Sequence, residues 1–139
     1  MAELTRAPIA LERLLAEAAL PDCGAIALFL GTTRDHHAGK RVTRLAYEAY
    51  EPMALAALER LEAEAVSRDG AARCRIVHRL GDVPIGEASV AVVVTAGHRA
   101  PAFEACRRAM DDLKRGVPIW KQEFYDQGGP AWAEGTPLA

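Results

Sequence analysis

Ser89-Val90-Ala91-Val92-Val93-Val94-Thr95-Ala96-Gly97-His98-Arg99-Ala100-Pro101 is the stretch on which the fold turns. Valine is stiff about χ1 and suits a pleated sheet better than a helix. The aliphatic run is continuous rather than alternating, so both faces of the strand are buried and it lies centrally in its sheet. Gly97 ends it. Pro101 suits the first position of a following helix, which makes Ala100 the expected N-cap. Alanine has no oxygen with which to cap. The amides of Ala102 and Phe103 are then left without a side-chain partner, and free amides at a helix start can receive water or an anion. His98 and Arg99 stand beside that start.

The reading extends outward in both directions. Downstream, the helix carries Phe103, Cys106, Ala109, Met110 and Leu113 on its inner face, stops at Gly116 and Pro118, and leads into a strand over Pro118–Tyr125. The tail after Gly128 is irregular, with Trp132 as its anchor. Upstream, a strand over Arg73–Leu80 joins the valine strand through Gly81–Gly86. Before it, Pro52 opens a helix with Met53, Leu55, Ala56, Leu58 and Leu61 in period. The N-terminal half gives a helix from Pro8 to Leu20 and a buried apolar strand between Gly24 and Gly31. A polar loop and an alternating strand over Val42–Tyr50 complete it. This order predicts one α+β domain, residues 1–139, with helices packed on a mainly antiparallel sheet.

Composition narrows the function. The chain has 139 residues, enough to bury a core unaided, and a net charge of −2. Nothing global favours nucleic acid or an anionic membrane, so anion binding has to come from a local cluster. No apolar run is long enough to span a bilayer. Cys23, Cys74 and Cys106 are widely separated, with no C-x-x-C, which argues against a zinc site or disulfide framework and suits a reducing cytoplasm.

Two local clusters stand out. Arg34, His36, His37, Lys40, Arg41 and Arg44 follow the first strand, a usual place for binding residues. This is not a phosphate-binding P-loop: such a loop needs glycine five positions before Gly39, where Arg34 stands. His36 and His37, adjacent on an extended chain, point apart and are poorly placed to share a metal. The loop reads as solvated, or as a site for phosphate or an acidic partner. The second cluster is Lys114-Arg115-Gly116-Val117-Pro118-Ile119-Trp120-Lys121. Of 17 cationic side chains only Lys40, Lys114 and Lys121 are lysines, and two of them bracket this segment. Lysine, unlike arginine, can shed its proton and act as base or nucleophile. At an ordinary pKa only about one lysine in 2,500 is neutral at pH 7, so useful reactivity requires burial or a neighbouring cation.

Four motifs together carry a family resemblance: Gly31-Thr32-Thr33-Arg34-Asp35-His36; Val77-His78-Arg79-Leu80-Gly81; Ala96-Gly97-His98-Arg99 with Ala102-Phe103-Glu104-Ala105; and Met110-Asp111-Asp112-Leu113-Lys114 running to Val117-Pro118-Ile119-Trp120-Lys121-Gln122-Glu123. Over nearly its full length the chain resembles the large, catalytic subunit of molybdopterin synthase. The resemblance implies an α/β hammerhead-type fold, a homodimer, and a heterotetramer with two small ubiquitin-like subunits. It implies sulfur transfer from the small subunit's C-terminal thiocarboxylate to cyclic pyranopterin monophosphate, forming the molybdopterin dithiolene with no cofactor or metal of the chain's own. By position, Lys114 and Lys121 are the implied catalytic lysines. Thr32, Thr33 and Arg34 are implied substrate and pocket residues, His98 and Arg99 hold the substrate's phosphate from the dimer mate, and Gln122 and Glu123 flank the pocket. One departure is visible: no lysine or arginine follows Lys121, where many relatives keep a basic residue. The rival readings are a non-catalytic dimeric module that binds a phosphorylated metabolite or partner tail, and an unrelated acyl or phosphoryl transferase.

Overall fold

A computed structural model describes residues 1–127 and 131–132. Its centre is β7 (Ala88–Ala96), which lies between β5 (Arg73–Arg79) and β2 (Ala25–Thr32), antiparallel to both. The short β1 (Glu3–Thr5) adds to β5 in parallel and completes a four-stranded sheet in the order β1-β5-β7-β2. The valine run is buried on both faces for two separate reasons. Val90, Val92 and Val94 join the main core beneath α2 (Glu51–Ser67) and α3 (Arg99–Gly116). Ala91 and Val93 pack instead with Leu14 and Ala18 of α1 (Leu11–Ala18). Thr95, on this second face, donates its hydroxyl to Ala18 O at 2.7 Å and ties the helix end to the sheet.

A second sheet runs in the order β3-β4-β8-β9, where β3 is His36–His37, β4 Lys40–Ala49, β8 Ile119–Tyr125 and β9 Ala131–Trp132; β6 (Gly81–Pro84) also pairs with β4. A bulge at Thr43 lets Val42 and Leu45, three residues apart, both face inward, since one extra residue resets the alternation. Val42, Leu45, Tyr47, Val83 and Ile119 of this sheet join the same core as Ile76 and Val92 of the first. The two sheets and two helices thus share one interior. Ala38 and Gly39, both at positive φ, form the tight turn between β3 and β4.

The α+β architecture matches the expectation, but several local readings need correction. Helix α1 begins at Leu11, after an N-cap at Ala10, so Pro8 lies outside it. Helix α3 begins at Arg99 with His98 as N-cap, and the Ala102 amide bonds His98 O at 3.3 Å rather than standing free. Phe103 is 68% exposed and Met53 56%; the inward positions are taken by Ala102, Ala105 and Cys106 in α3 and by Ala54 and Leu58 in α2. Strand β2 is an edge strand with Ile26, Leu28 and Phe29 exposed, not a buried one. Trp132 is about half exposed and pairs its backbone with Gln122 instead of anchoring a tail in the core; the rest of that tail, 128–130 and 133–139, lies outside the described residues.

Gly31 meets a spatial limit at the end of β2. A Cβ there would lie 2.7 Å from Cγ1 of Val90, closer than any real contact. Gly31→Ala is expected to lower stability by about 1–3 kcal/mol through overpacking, measured as a fall in the urea midpoint at unchanged m-value. An unchanged midpoint would show that Val90 yields without cost.

Candidate functional site

Strand parity sets the site. On β8, Ile119 is buried, Lys121 half-buried and Glu123 only 4% exposed, whereas Trp120 on the other face is exposed. Across the ladder Tyr47 stands opposite Lys121 and Leu45 opposite Glu123. One face of the second sheet therefore presents a lysine, a carboxylate and a phenol together, facing the end of β2. They line an open cavity of about 380 Å³.

The remaining walls come from separated parts of the chain. The end of β2 contributes Phe29, Gly31 and Thr32, the loop beyond it Arg34, and β3 contributes His36 and His37. His78 and Ser89 come from β5 and β7, and Met110 and Lys114 from the last turns of α3. Lys114 and Met110 are four residues apart, hence on one helix face. Two of the chain's three lysines thus meet at one cavity with Arg34, although 80 residues separate Arg34 from Lys114.

The electrostatics favour an anion and a reactive amine. Arg34, Lys114 and Lys121 oppose a single carboxylate, Glu123, before any histidine is protonated. The Lys121 amine is held below the ordinary lysine range, chiefly by burial; Glu123 pulls it back up, while Lys114 and Arg34 push it further down. His37 Nδ1 lies 3.7 Å from a Glu123 oxygen, and His36 Nδ1 lies 2.9 Å from Asp35. Among the described residues no group of three or more histidine, cysteine, aspartate or glutamate side chains is arranged to hold a metal ion.

His78 is 1% exposed, and sequence reasoning used it only as part of a motif. Its Nδ1 lies 2.8 Å from Arg79 O. A carbonyl can only accept, so Nδ1 carries the proton and Nε2 is bare. Burial depresses the His78 pKa to about 4. Between about pH 6.5 and 4 the unfolded chain therefore binds a proton that the folded chain refuses, and stability falls as pH falls. The loss across that window is expected to reach about 3 kcal/mol. Chemical denaturation of wild type and His78→Gln at a series of pH values checks this: the variant should show a flatter acid limb. Parallel limbs would assign the acid loss to other groups.

The other residues singled out from the sequence occupy different positions. Thr33 is 3% exposed and does not line the cavity; its amide bonds Glu87 O and its carbonyl accepts from Gly86, tying the loop to the turn between β6 and β7. Its Oγ1 has no partner. Gln122 points to the opposite face of β8 from Lys121, where β9 brings Trp132 alongside. His98 and Arg99 are exposed at the start of α3. Fifteen residues of helix separate Arg99 from Lys114, an axial distance of about 22 Å. Within one chain these two residues do not meet in one small site.

The fold and site define a small α+β protein with a paired-lysine, anion-receptive cavity. The chain matches the family described as MoaE protein over residues 4–116, and it belongs to that family. Lys114 lies inside the matched residues and Lys121 just beyond them. A molybdopterin synthase catalytic subunit from rice (Oryza sativa subsp. indica) is 52% identical over 111 residues, covering 80% of this chain but 57% of the rice protein. The chain thus spans little more than half the length of that relative. Molybdopterin synthase catalytic subunit 1 of Mycobacterium tuberculosis is 40% identical over 134 residues, 96% of this chain and 90% of that one. Among solved structures, molybdopterin synthase from Staphylococcus aureus superposes with a TM-score of 0.89 at 32% identity, covering 96% of both chains. A chain from the complex of subunits 1 and 2 of molybdopterin-converting factor from Helicobacter pylori gives 0.79 at 25% identity, covering 96% of this chain and 90% of that one.

Proposed function

We propose that this chain is the catalytic subunit of a molybdopterin synthase. In this reading it takes sulfur from the C-terminal thiocarboxylate of a small ubiquitin-like subunit and delivers it to cyclic pyranopterin monophosphate, forming the dithiolene. The observation that carries the reading is the meeting of Lys114 and Lys121 at one cavity with Arg34 and no cysteine in its lining. An amine of lowered pKa can take a proton or attack an acyl carbon. Arg34 and the lysines suit a phosphate and a carboxylate-like tail. With no thiol in the lining, the sulfur arrives on a partner. Cys74 and Cys106 are buried, and burial pushes both thiols up, Cys74 to about 12, which leaves them poor nucleophiles. A reducing cytoplasm suits three free cysteines.

The free edge of β2 supports a homodimer. Among the described residues this eight-residue strand has β7 as its one sheet neighbour, and it contains neither charge nor proline, the usual protections of an open edge. Ile26, Leu28 and Phe29 flank it, with Phe103 nearby on α3. Antiparallel pairing with the same strand of a second copy would be two-fold symmetric. It would set the mate's Ala25 end beside Gly31 and Thr32 of this copy. Ala25 pairs with Ala96, two residues before His98. The mate's His98 and Arg99 would then come within two strand spacings, about 10 Å, of this cavity's rim. Such a dimer would bring together at one cavity two residues that α3 holds about 22 Å apart within one chain.

The test combines the protein, a thiocarboxylated small subunit and the cyclic phosphate, and weighs the pterin product. The expected result is a gain of two sulfurs, with each donor tail released as a carboxylate. Tight binding of the phosphate with no sulfur gained would leave a binding module.

A further inference from the structure

The inner wall of the cavity contains a phenol that the proposed chemistry leaves without a role. Tyr47 is 7% exposed, lines the cavity and stands directly opposite Lys121 across β4 and β8. Opposed residues of this kind have Cβ atoms about 4.5–5.5 Å apart. Its ring meets the His78 ring edge-on, with centroids 5.0 Å apart and an interplanar angle of 69°. Its hydroxyl lies within reach of Ser89, which lines the same cavity.

Ser89 owes its position to an irregularity. The ladder shifts register between Gly31 and Thr32, whose partners are Val90 and Ala88, so Ser89 is the extra residue. Bulges re-aim side chains in this way. The Ser89 hydroxyl donates to Gly31 O at 3.2 Å. That uses its one hydrogen, so toward the phenol Ser89 Oγ can only accept a hydrogen bond, and donation runs from Tyr47 to Ser89 to Gly31. A phenol that donates in one direction keeps a lone pair for a donor on its other side. Lys121 is the lysine that stands across the ladder from it, on the same face of the sheet.

We propose that Tyr47 is a positioning residue for Lys121: its ring is braced by His78, its hydroxyl is anchored by Ser89, and its free lone pair directs the amine into the cavity. The inference rests on the reading of Lys121 as the reacting amine. Burial keeps Tyr47 protonated, since its pKa is raised chiefly by desolvation. The other charged or titratable groups around Lys121 are Glu123 on β8, Lys114 on α3, Arg34, His36 and His37 beyond β2, and His78 on β5. None is altered by Tyr47→Phe, which removes only the hydroxyl.

Having only three lysines makes the test clean. Intact protein is treated with a limiting amine-acetylating reagent between pH 7 and 10, and each lysine is followed by peptide mass. A lost acceptor disfavours the ammonium, so Lys121 in Tyr47→Phe should be acetylated about three- to tenfold faster at pH 8 than in wild type. Lys40 and Lys114 should be unchanged. Sulfur transfer by the same variant should show a lower kcat at unchanged KM. Ser89→Ala should move both readouts in the same direction by less, and the double variant should be no worse than Tyr47→Phe alone, because Ser89 acts through Tyr47. If Tyr47→Phe fails to fold, the Lys121 rate in Ser89→Ala decides. Wild-type Lys121 labelling in a folded variant, or equal acceleration of all three lysines, would overturn the proposal. Labelling needs neither partner nor substrate. Failure of the synthase reading, which is absence of sulfur transfer by wild type, is therefore a separate outcome.

Discussion

Lys121→Arg is expected to fold, to bind the small subunit, and to lose about 10²- to 10⁴-fold in sulfur transfer, the range of a missing general acid or base. Arginine preserves the positive charge beside Glu123 but cannot release a proton at any working pH. The structure gives Lys121 what such a role requires. It is half-buried, its amine is shifted down mainly by desolvation, and Lys114 and Arg34 reinforce the shift. Lys114→Arg should also be impaired, by loss of a proton-exchanging group at the helix end. Single-turnover assays with saturating partner check both variants. Near-normal turnover in the pair would reduce the lysines to fixed charges and favour a binding module.

The second large effect concerns a residue far from the cavity of its own chain. Arg99→Ala is expected to weaken binding of the cyclic phosphate by about 10- to 150-fold, the equivalent of about 1.5–3 kcal/mol for a lost charge-assisted contact. Partner affinity should change little, because in the proposed reading the small subunit's tail enters on the Lys114–Lys121 side. Arg99 is exposed at the start of α3, about 22 Å along the helix axis from Lys114. If a second copy supplies it across the β2 edge, Arg99→Ala mixed with Lys121→Ala should recover partial activity. In a mixed dimer one cavity keeps both residues. No recovery, with subunit exchange confirmed by native mass spectrometry, would remove Arg99 from the shared site.

The core was legible in the sequence where a pattern was long enough to have only one reading. The run Val90–Val94 required a strand covered on both faces, and α1 and α3 cover it. The alternation in the strand over Val42–Tyr50 set one inward face, with Leu45 and Tyr47 on it, and Ile119, Lys121 and Glu123 form the matching one. Strands β1, β3, β6 and β9, each two to four residues long, could not be read, since so few residues carry no period. The errors at Phe103, Met53 and β2 have another cause. Their apolar side chains were assigned to this chain's own interior, yet Phe103 and β2 lie together around an uncovered sheet edge. Periodicity reports that a face is apolar and says nothing of which molecule covers it.

The site was legible as chemistry and less so as geometry. Lysine in a chain that otherwise uses arginine marked 114 and 121, and the cavity brings both together with Thr32, Arg34 and Glu123. Tyr47, His78 and Ser89 went unnoticed as site residues because each sits in a strand where a buried side chain needs no further reason. What joins them is the approach of two sheets and one bulge, and neither leaves a mark in local sequence.

The central claim is that the sulfur comes from the partner's tail and passes through a cavity operated by lysines. The most direct measurement uses a small subunit whose thiocarboxylate carries isotopically labelled sulfur, quenches one turnover, and weighs both the pterin and this chain. The account predicts that every sulfur in the dithiolene is labelled and that Cys23, Cys74 and Cys106 never acquire the label. Labelled sulfur on any of these cysteines during turnover, or unlabelled sulfur in the product, would contradict it.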